Sequence, residues 1–156
     1  MMNRLMKRKW LALVMATVIL DGGCATQGQR GFYAKALSPT QSAEMAEDTA
    51  REMVALYPPA STYLALKQPT ADPFGTALVG QLRNKGYALA EATTTSKNQA
   101  KAAVMTAVGA DFGYVVDSVG MDSYRVTATV GNETISRVYG VSNDRLSPMG
   151  YWVRRM

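Results

Sequence analysis

Histidine is absent from the 156 residues and cysteine occurs once, as Cys24. Those two facts remove the commonest general base, the usual partner of a serine or thiol nucleophile, the commonest transition-metal ligand and any disulfide within one chain. What remains for chemistry is carboxylates, hydroxyls, arginines and a single sulfur. Asp111 and Asp117 are spaced to share one side of a strand, as paired carboxylates for acid–base work require, and Asp117 with Asp122 is a second conceivable pair. Turn and strand-end aspartates are common for local structural reasons, and that plainer reading is the stronger one. A calcium loop needs ligands at alternating positions and a closing glutamate, which this stretch lacks. Thr93-Thr94-Thr95-Ser96 offers hydroxyls with no base beside them and reads as a polar loop. Neither Gly109-Ala110-Asp111-Phe112-Gly113 nor Gly120-Met121-Asp122 has the spacing or following lysine of a phosphate loop. Arg154-Arg155 beside Trp152 could stack on an anionic or aromatic ligand, although a strand with a solvated basic end is the simpler expectation. No catalytic, cofactor or metal residue is singled out, so the chain reads as a non-enzyme.

The sulfur is placed where it does have a chemistry. Arg4, Lys7, Arg8 and Lys9 precede an apolar run over residues 10–20, followed by Asp21-Gly22-Gly23-Cys24-Ala25. A run of about 11 residues is too short to span a bilayer as a helix, which takes about 20, but it fits the apolar region of an export signal. The pattern reads as a bacterial lipoprotein signal. Small residues at Gly22 and Gly23 give a peptidase room beside the cysteine, whose sulfur would carry the lipid; Cys24 is the expected lipid-attachment site. Asp21 departs from the usual leucine at that position, with Leu20 one place further off. The bland alternatives are an unmodified cysteine behind an ordinary signal peptide and an uncleaved anchor. Ala25, rather than aspartate, after the cysteine favours onward sorting to the outer membrane.

Processing changes the charge argument. Removing residues 1–23 leaves 133 residues, enough for one domain with a modest core. The segment contains four of the 17 basic residues and one of the 12 acidic ones, so 13 and 11 remain, a net charge of +2. The high isoelectric point therefore belongs mostly to the discarded segment, and direct nucleic-acid binding, which relies on clustered Lys and Arg, loses its main support.

The elements that must position these groups follow from periodicity. Residues 24–37 have no sustained period and read as a lipidated N-terminus and tether. Ser38-Pro39-Thr40-Gln41 carries a capping box and a first-turn proline, which predict a helix to about Leu56 with Ala43, Ala46, Ala50, Met53 and Tyr57 on its apolar stripe. Pro58-Pro59 ends it. A short strand is expected over residues 61–66, and Asp72-Pro73-Phe74-Gly75 opens a second helix closed by Gly86. Residues 87–90 then form a strand, and residues 96–107 are evenly balanced between a third helix and a loop. Residues 112–119 and 124–130 are strands, the second alternating strictly, and Gly131-Asn132 turns into another over 133–141. A last strand falls at 151–154. Two or three helices packed on a mostly antiparallel sheet make an α+β domain over residues 38–156.

The order of these pieces resembles the TrbH conjugal transfer protein family. The likeness rests on Cys24 after its apolar run, Leu56-Tyr57-Pro58-Pro59-Ala60, Asp72-Pro73-Phe74-Gly75, Leu82-Arg83 with Gly86-Tyr87, and Tyr114-Val115-Val116-Asp117. It continues through Tyr124-Arg125-Val126, Ser136-Arg137-Val138-Tyr139 and Pro148-Met149-Gly150-Tyr151-Trp152-Val153-Arg154-Arg155. The resemblance implies a lipid-anchored structural component of a conjugative type IV secretion system, assisting assembly of the envelope channel or mating pilus. Its partners would be outer-membrane lipid, through acylated Cys24, and other channel subunits, with the domain facing the periplasm. It carries over no catalytic residue and no cofactor. The competing class is an envelope lipoprotein that binds cell wall or a small ligand, unrelated to conjugation.

Overall fold

The computed structural model describes residues 30–34, 36–91 and 109–156. Cys24, the signal segment, the hydroxyl run after Thr93 and the evenly balanced helix at 96–107 lie outside the described residues.

Helix α1 (Pro39–Leu56) starts through the reciprocal capping expected from its sequence: the Ser38 hydroxyl accepts from the Gln41 amide at 3.2 Å, and the Gln41 side chain accepts from the Ser38 amide at 2.9 Å. It runs out at Pro58, and a 3-10 turn (Pro59–Ser61) leads into strand β2 (Tyr63–Leu66). Helix α2 (Pro73–Asn84) repeats the opening, with the Asp72 carboxylate accepting from the Gly75 amide at 2.8 Å. Gly86, at φ +89°, makes the left-handed turn into strand β3 (Ala88–Ala90).

The centre of the sheet is an antiparallel meander of three long strands, β4 (Ala110–Ser118), β5 (Ser123–Val130) and β6 (Glu133–Ser142). Each outer edge of the meander is shared by two short strands. On β4, strand β2 pairs in parallel with residues 110–112, and β1 (Gly31–Phe32) pairs in parallel with Val115 and Val116. Between them the Gln68 side chain stands in for a strand, its carbonyl oxygen accepting from the Tyr114 amide at 3.0 Å. On β6, strand β7 (Arg145–Pro148) pairs with residues 139–142 and β8 (Val153–Arg155) with residues 134–136, both antiparallel. With β3 outside β2, the path is β3-β2-β4-β5-β6-β7, and the mostly antiparallel α+β architecture is the expected one.

Two strands go beyond the sequence reading. Residues 31–32 fall in the stretch read as a tether, yet they add a strand, and Ala34 and Leu37 beyond them are buried. A segment this short gives no periodicity; it is held by edge pairing with β4, which is a tertiary effect. Strand β7 follows a tight turn with Asn143 and Asp144 at φ 53° and 60°, the backbone of a type I′ hairpin.

Both helices lie on one face, where Tyr114, Tyr139, Phe74, Phe112, Met45 and Met53 are fully buried. The expected α1 stripe holds at Ala46, Ala50 and Met53, but Ala43 is exposed, while Met45, Asp48 and Thr49 are buried. The reason is that α1 packs against α2 as well as the sheet, so its buried arc is wider than a single stripe.

Candidate functional site

The polar groups that the fold places with most care are three tyrosine–carboxylate contacts, each tying a helix to the sheet. Alternation along β6 puts Ile135, Arg137 and Tyr139 on the helix-facing side, so an arginine is delivered into the core boundary. Asp48 meets it from α1. The Asp48 carboxylate accepts from Arg137 Nη1 at 2.9 Å and from the Tyr139 hydroxyl at 2.6 Å, and Arg51 closes on its other oxygen from one helical turn away. Asp48 and Arg137 side chains are 9% and 18% exposed, so this pair works largely away from water. Arg137 also donates to the Gly150 carbonyl at 2.9 Å and lies 5.9 Å from the ring centres of Tyr139 and Trp152. One arginine thus fastens α1, β6 and the segment leading to β8.

The second contact joins Tyr114 on β4 to Asp72, the α2 cap, at 2.5 Å; Tyr114 also packs edge-on against Phe74 with ring centres 5.0 Å apart. In the third, the Tyr57 hydroxyl donates to Glu133 at 2.7 Å, and Arg154 reaches the same carboxylate oxygen at 2.6 Å while lying over the Tyr57 ring. Tyr87 adds a hydrogen bond to the Tyr57 carbonyl at 2.5 Å.

These environments shift the titrating groups away from neutrality. Burial, then the adjacent Asp72 or Asp48 carboxylate, pushes the Tyr114 and Tyr139 phenols far above their ordinary value. Burial and Glu133 push Tyr57 up to about 12, and burial alone pushes Tyr87 up to about 12. Tyr57 and then Arg154 hold the Glu133 carboxyl below its usual range. The tyrosines therefore act as permanent hydrogen-bond donors, and none of these shifted groups is poised to exchange a proton near pH 7.

The sequence candidates are kept apart. Asp111 pairs with Lys67 at 2.8 Å, while Asp117 takes two contacts from Arg125 on the neighbouring strand, at 3.2 and 2.5 Å. Six residues apart on one strand, the two carboxylates are about 20 Å from each other, so they make no acid–base pair. Asp122 sits in the β4–β5 turn beside an open groove of about 520 Å³, where Ser38 and Gln41 are already committed to capping α1. Arg154 and Arg155 are both exposed, as a solvated basic strand end should be, but Arg154 is also engaged by Glu133 and lies over the Tyr57 ring. Among the described residues no cluster of three or more acidic or thiol groups could hold a metal ion. Sequence reasoning missed the Asp48–Arg137–Tyr139 group. The available signal was Arg137 falling on the buried phase of a strand, between Ile135 and Tyr139.

No helix among the described residues is long and apolar enough to cross a membrane. No curated protein and no solved structure matches the chain. The family model described as conjugal transfer protein TrbH matches residues 25–156, which takes in the whole described fold, and the chain belongs to that family.

Proposed function

We propose that this conjugal transfer protein is a lipid-anchored structural component of a conjugative type IV secretion system that assists assembly of the envelope channel or mating pilus. Cys24 is its lipid-attachment site, the outer membrane its address, and the folded domain faces the periplasm. The observation that carries the reading is one of position: the family match begins at Ala25, immediately after the only cysteine, and the first described strand begins at Gly31. A signal with a lipidated cysteine leading straight into a folded domain accounts for that boundary. The domain itself adds support, since its best-placed charged groups are consumed in holding helices to the sheet. Several acyl chains keep a protein on a bilayer durably where one does so marginally, and anchorage raises the local concentration of the domain beside other secretion-system components.

The test is Cys24→Ser. Intact mass and labelled palmitate should show acylation of the native protein and none of the variant, which should leave the outer-membrane fraction. Mating frequency should collapse while nicking of the transferred DNA in the cytoplasm continues. Retention of residues 1–23 or an unmodified thiol in the native protein rejects the anchor, and loss of nicking rejects the assembly role.

A further inference from the structure

Helices α1 and α2 cover one face of the sheet, and no described element lies over the other. Register settles which side chains that second face carries. Phe112, Tyr114 and Val116 are buried toward the helices, so Gly113, Val115 and Asp117 point away from them. Strand pairing extends the row from Val115 through Thr127 and Ser136 to Val153. Met149 lies over Gly140 on the same side, where an added Cβ would meet its sulfur at 2.8 Å. Tyr33, Met149, Tyr151 and Val153 rim this face at 48, 60, 92 and 50% exposure, an apolar display of the kind that marks interaction surfaces. Its carboxylates, Asp111 and Asp117, are neutralised by Lys67 and Arg125, whereas Arg30 and Arg155 are exposed and have no ion-pair partner among the described residues. The face is net cationic.

Chain length limits how far this face can stand from an anchored Cys24. The Arg30 side chain lies across this same face, where a Cβ on Gly113 would meet its Cδ and Nε at 2.7 Å. Cys24 and Arg30 are six positions apart, a reach of about 20 Å when fully extended. An acylated Cys24 therefore keeps Arg30, whose side chain lies across the helix-free face, within that distance of the bilayer.

We propose that the helix-free face of the sheet is a membrane-docking surface, seated on a phospholipid headgroup layer with anionic character. Tyr33, Met149, Tyr151 and Val153 enter the interfacial layer, and Arg30 and Arg155 meet phosphates. The proposal rests on the lipidation of Cys24 stated above. A tether this short gives an effective concentration on the order of mM, so a weak contact is kept occupied. In that orientation the exposed side of α1 is turned away from the membrane.

With Cys24 acylated, one added cysteine is the only free thiol. Ser136→Cys on the helix-free face and Glu47→Cys on the exposed side of α1 are each labelled with an environment-sensitive dye in the full lipidated chain. The protein is reconstituted in phosphatidylethanolamine–phosphatidylglycerol vesicles containing a headgroup-labelled quencher lipid. The Ser136→Cys dye should shift to the blue and be quenched, and the Glu47→Cys dye should do neither. Adding Tyr151→Asp, Val153→Asp and Arg155→Glu should abolish the quenching with an unchanged circular dichroism spectrum. Equal quenching at both positions overturns the proposal. So does a Ser136→Cys dye that is shifted but unquenched, which would mean that protein, either residues 92–108 or a second copy, covers the face. Intact mass separates the two levels: failed quenching with acylated Cys24 rejects docking alone, and an unmodified thiol rejects the reading beneath it.

Discussion

Arg137 and Asp48 allow a quantitative test of whether the polar bridge holds α1 to the sheet. Replacing Asp48 with Leu leaves the Arg137 guanidinium and the Tyr139 hydroxyl facing an apolar group in a boundary where the two charged side chains are 9% and 18% exposed. Breaking one side of such a pair costs about 3–5 kcal/mol. Arg137 keeps the Gly150 carbonyl and two aromatic rings, so the lower end, about 3 kcal/mol, is expected. Arg137→Met alone leaves Asp48 with the Tyr139 hydroxyl and the largely exposed Arg51, at about 2–3 kcal/mol. The double variant removes both charges of the pair and leaves the buried Tyr139 hydroxyl without its carboxylate acceptor, which costs about 1–3 kcal/mol. The double-mutant cycle should therefore show a coupling of about 3 kcal/mol. In urea, with a slope of about 1.5 kcal/mol per M, either single variant shifts the midpoint down by about 2 M. Trp152, the only tryptophan after residue 23, sits against Arg137 and reports the transition by fluorescence. Singles that add to the double within about 0.5 kcal/mol would refute the bridge as a coupled unit.

Two further outcomes follow from the same geometry. Gly75→Ala drives a Cβ into the Tyr114 hydroxyl, with Asp72 Oδ2 and Thr70 Cα each at 3.0 Å, and should lower the thermal midpoint sharply; Gly80→Ala, on the same helix with nothing within 4 Å, should raise stability by about 0.5–1 kcal/mol. Tyr114 and Tyr139 stay protonated in the fold above the pH at which they ionise in the unfolded chain, near 10.0. The unfolded state then binds fewer protons, so stability is full below pH 10 and falls above it by about 1.4 kcal/mol per pH unit for each tyrosine. Tyr114→Phe should flatten that alkaline slope in a urea series between pH 9 and 11.5, and an unchanged slope would contradict the burial of its hydroxyl.

The parts of this fold that could be read from sequence are those fixed by local chemistry. Ser38 with Gln41, Asp72 with Pro73, Gly86 and the alternation through Tyr124 to Val130 each determine a backbone conformation within a few residues, and each is found in the structure. What escaped depends on distant partners. Gly31 and Phe32 carry no pattern and become a strand only because β4 offers an edge there. Asp48 looks like a solvent-facing helix residue until Arg137 and Tyr139, about 90 positions away, are brought beneath it. Asn143-Asp144 is different: its turn chemistry was present in the sequence, and weighing it would have placed β7. At the level of sites, the carboxylates that looked available for chemistry are the ones the sheet pairs with cations across neighbouring strands, a register effect invisible to spacing alone.

The division of each meander edge between two short strands sets an order of assembly. Hairpins join β4 to β5 and β5 to β6, so that nucleus closes through local loops. Gly31 must instead return to Val115 across 84 positions for a strand of two residues, a large closure entropy for very few bonds. The first described strand is thus the last to seat and the first to lift. The Tyr33 amide, bonded to the Val116 carbonyl at 2.7 Å, should accordingly exchange its hydrogen well before the amides of Val126 and Ala128, and a pull arriving from the N-terminal side would open that seam while the rest of the sheet stayed closed.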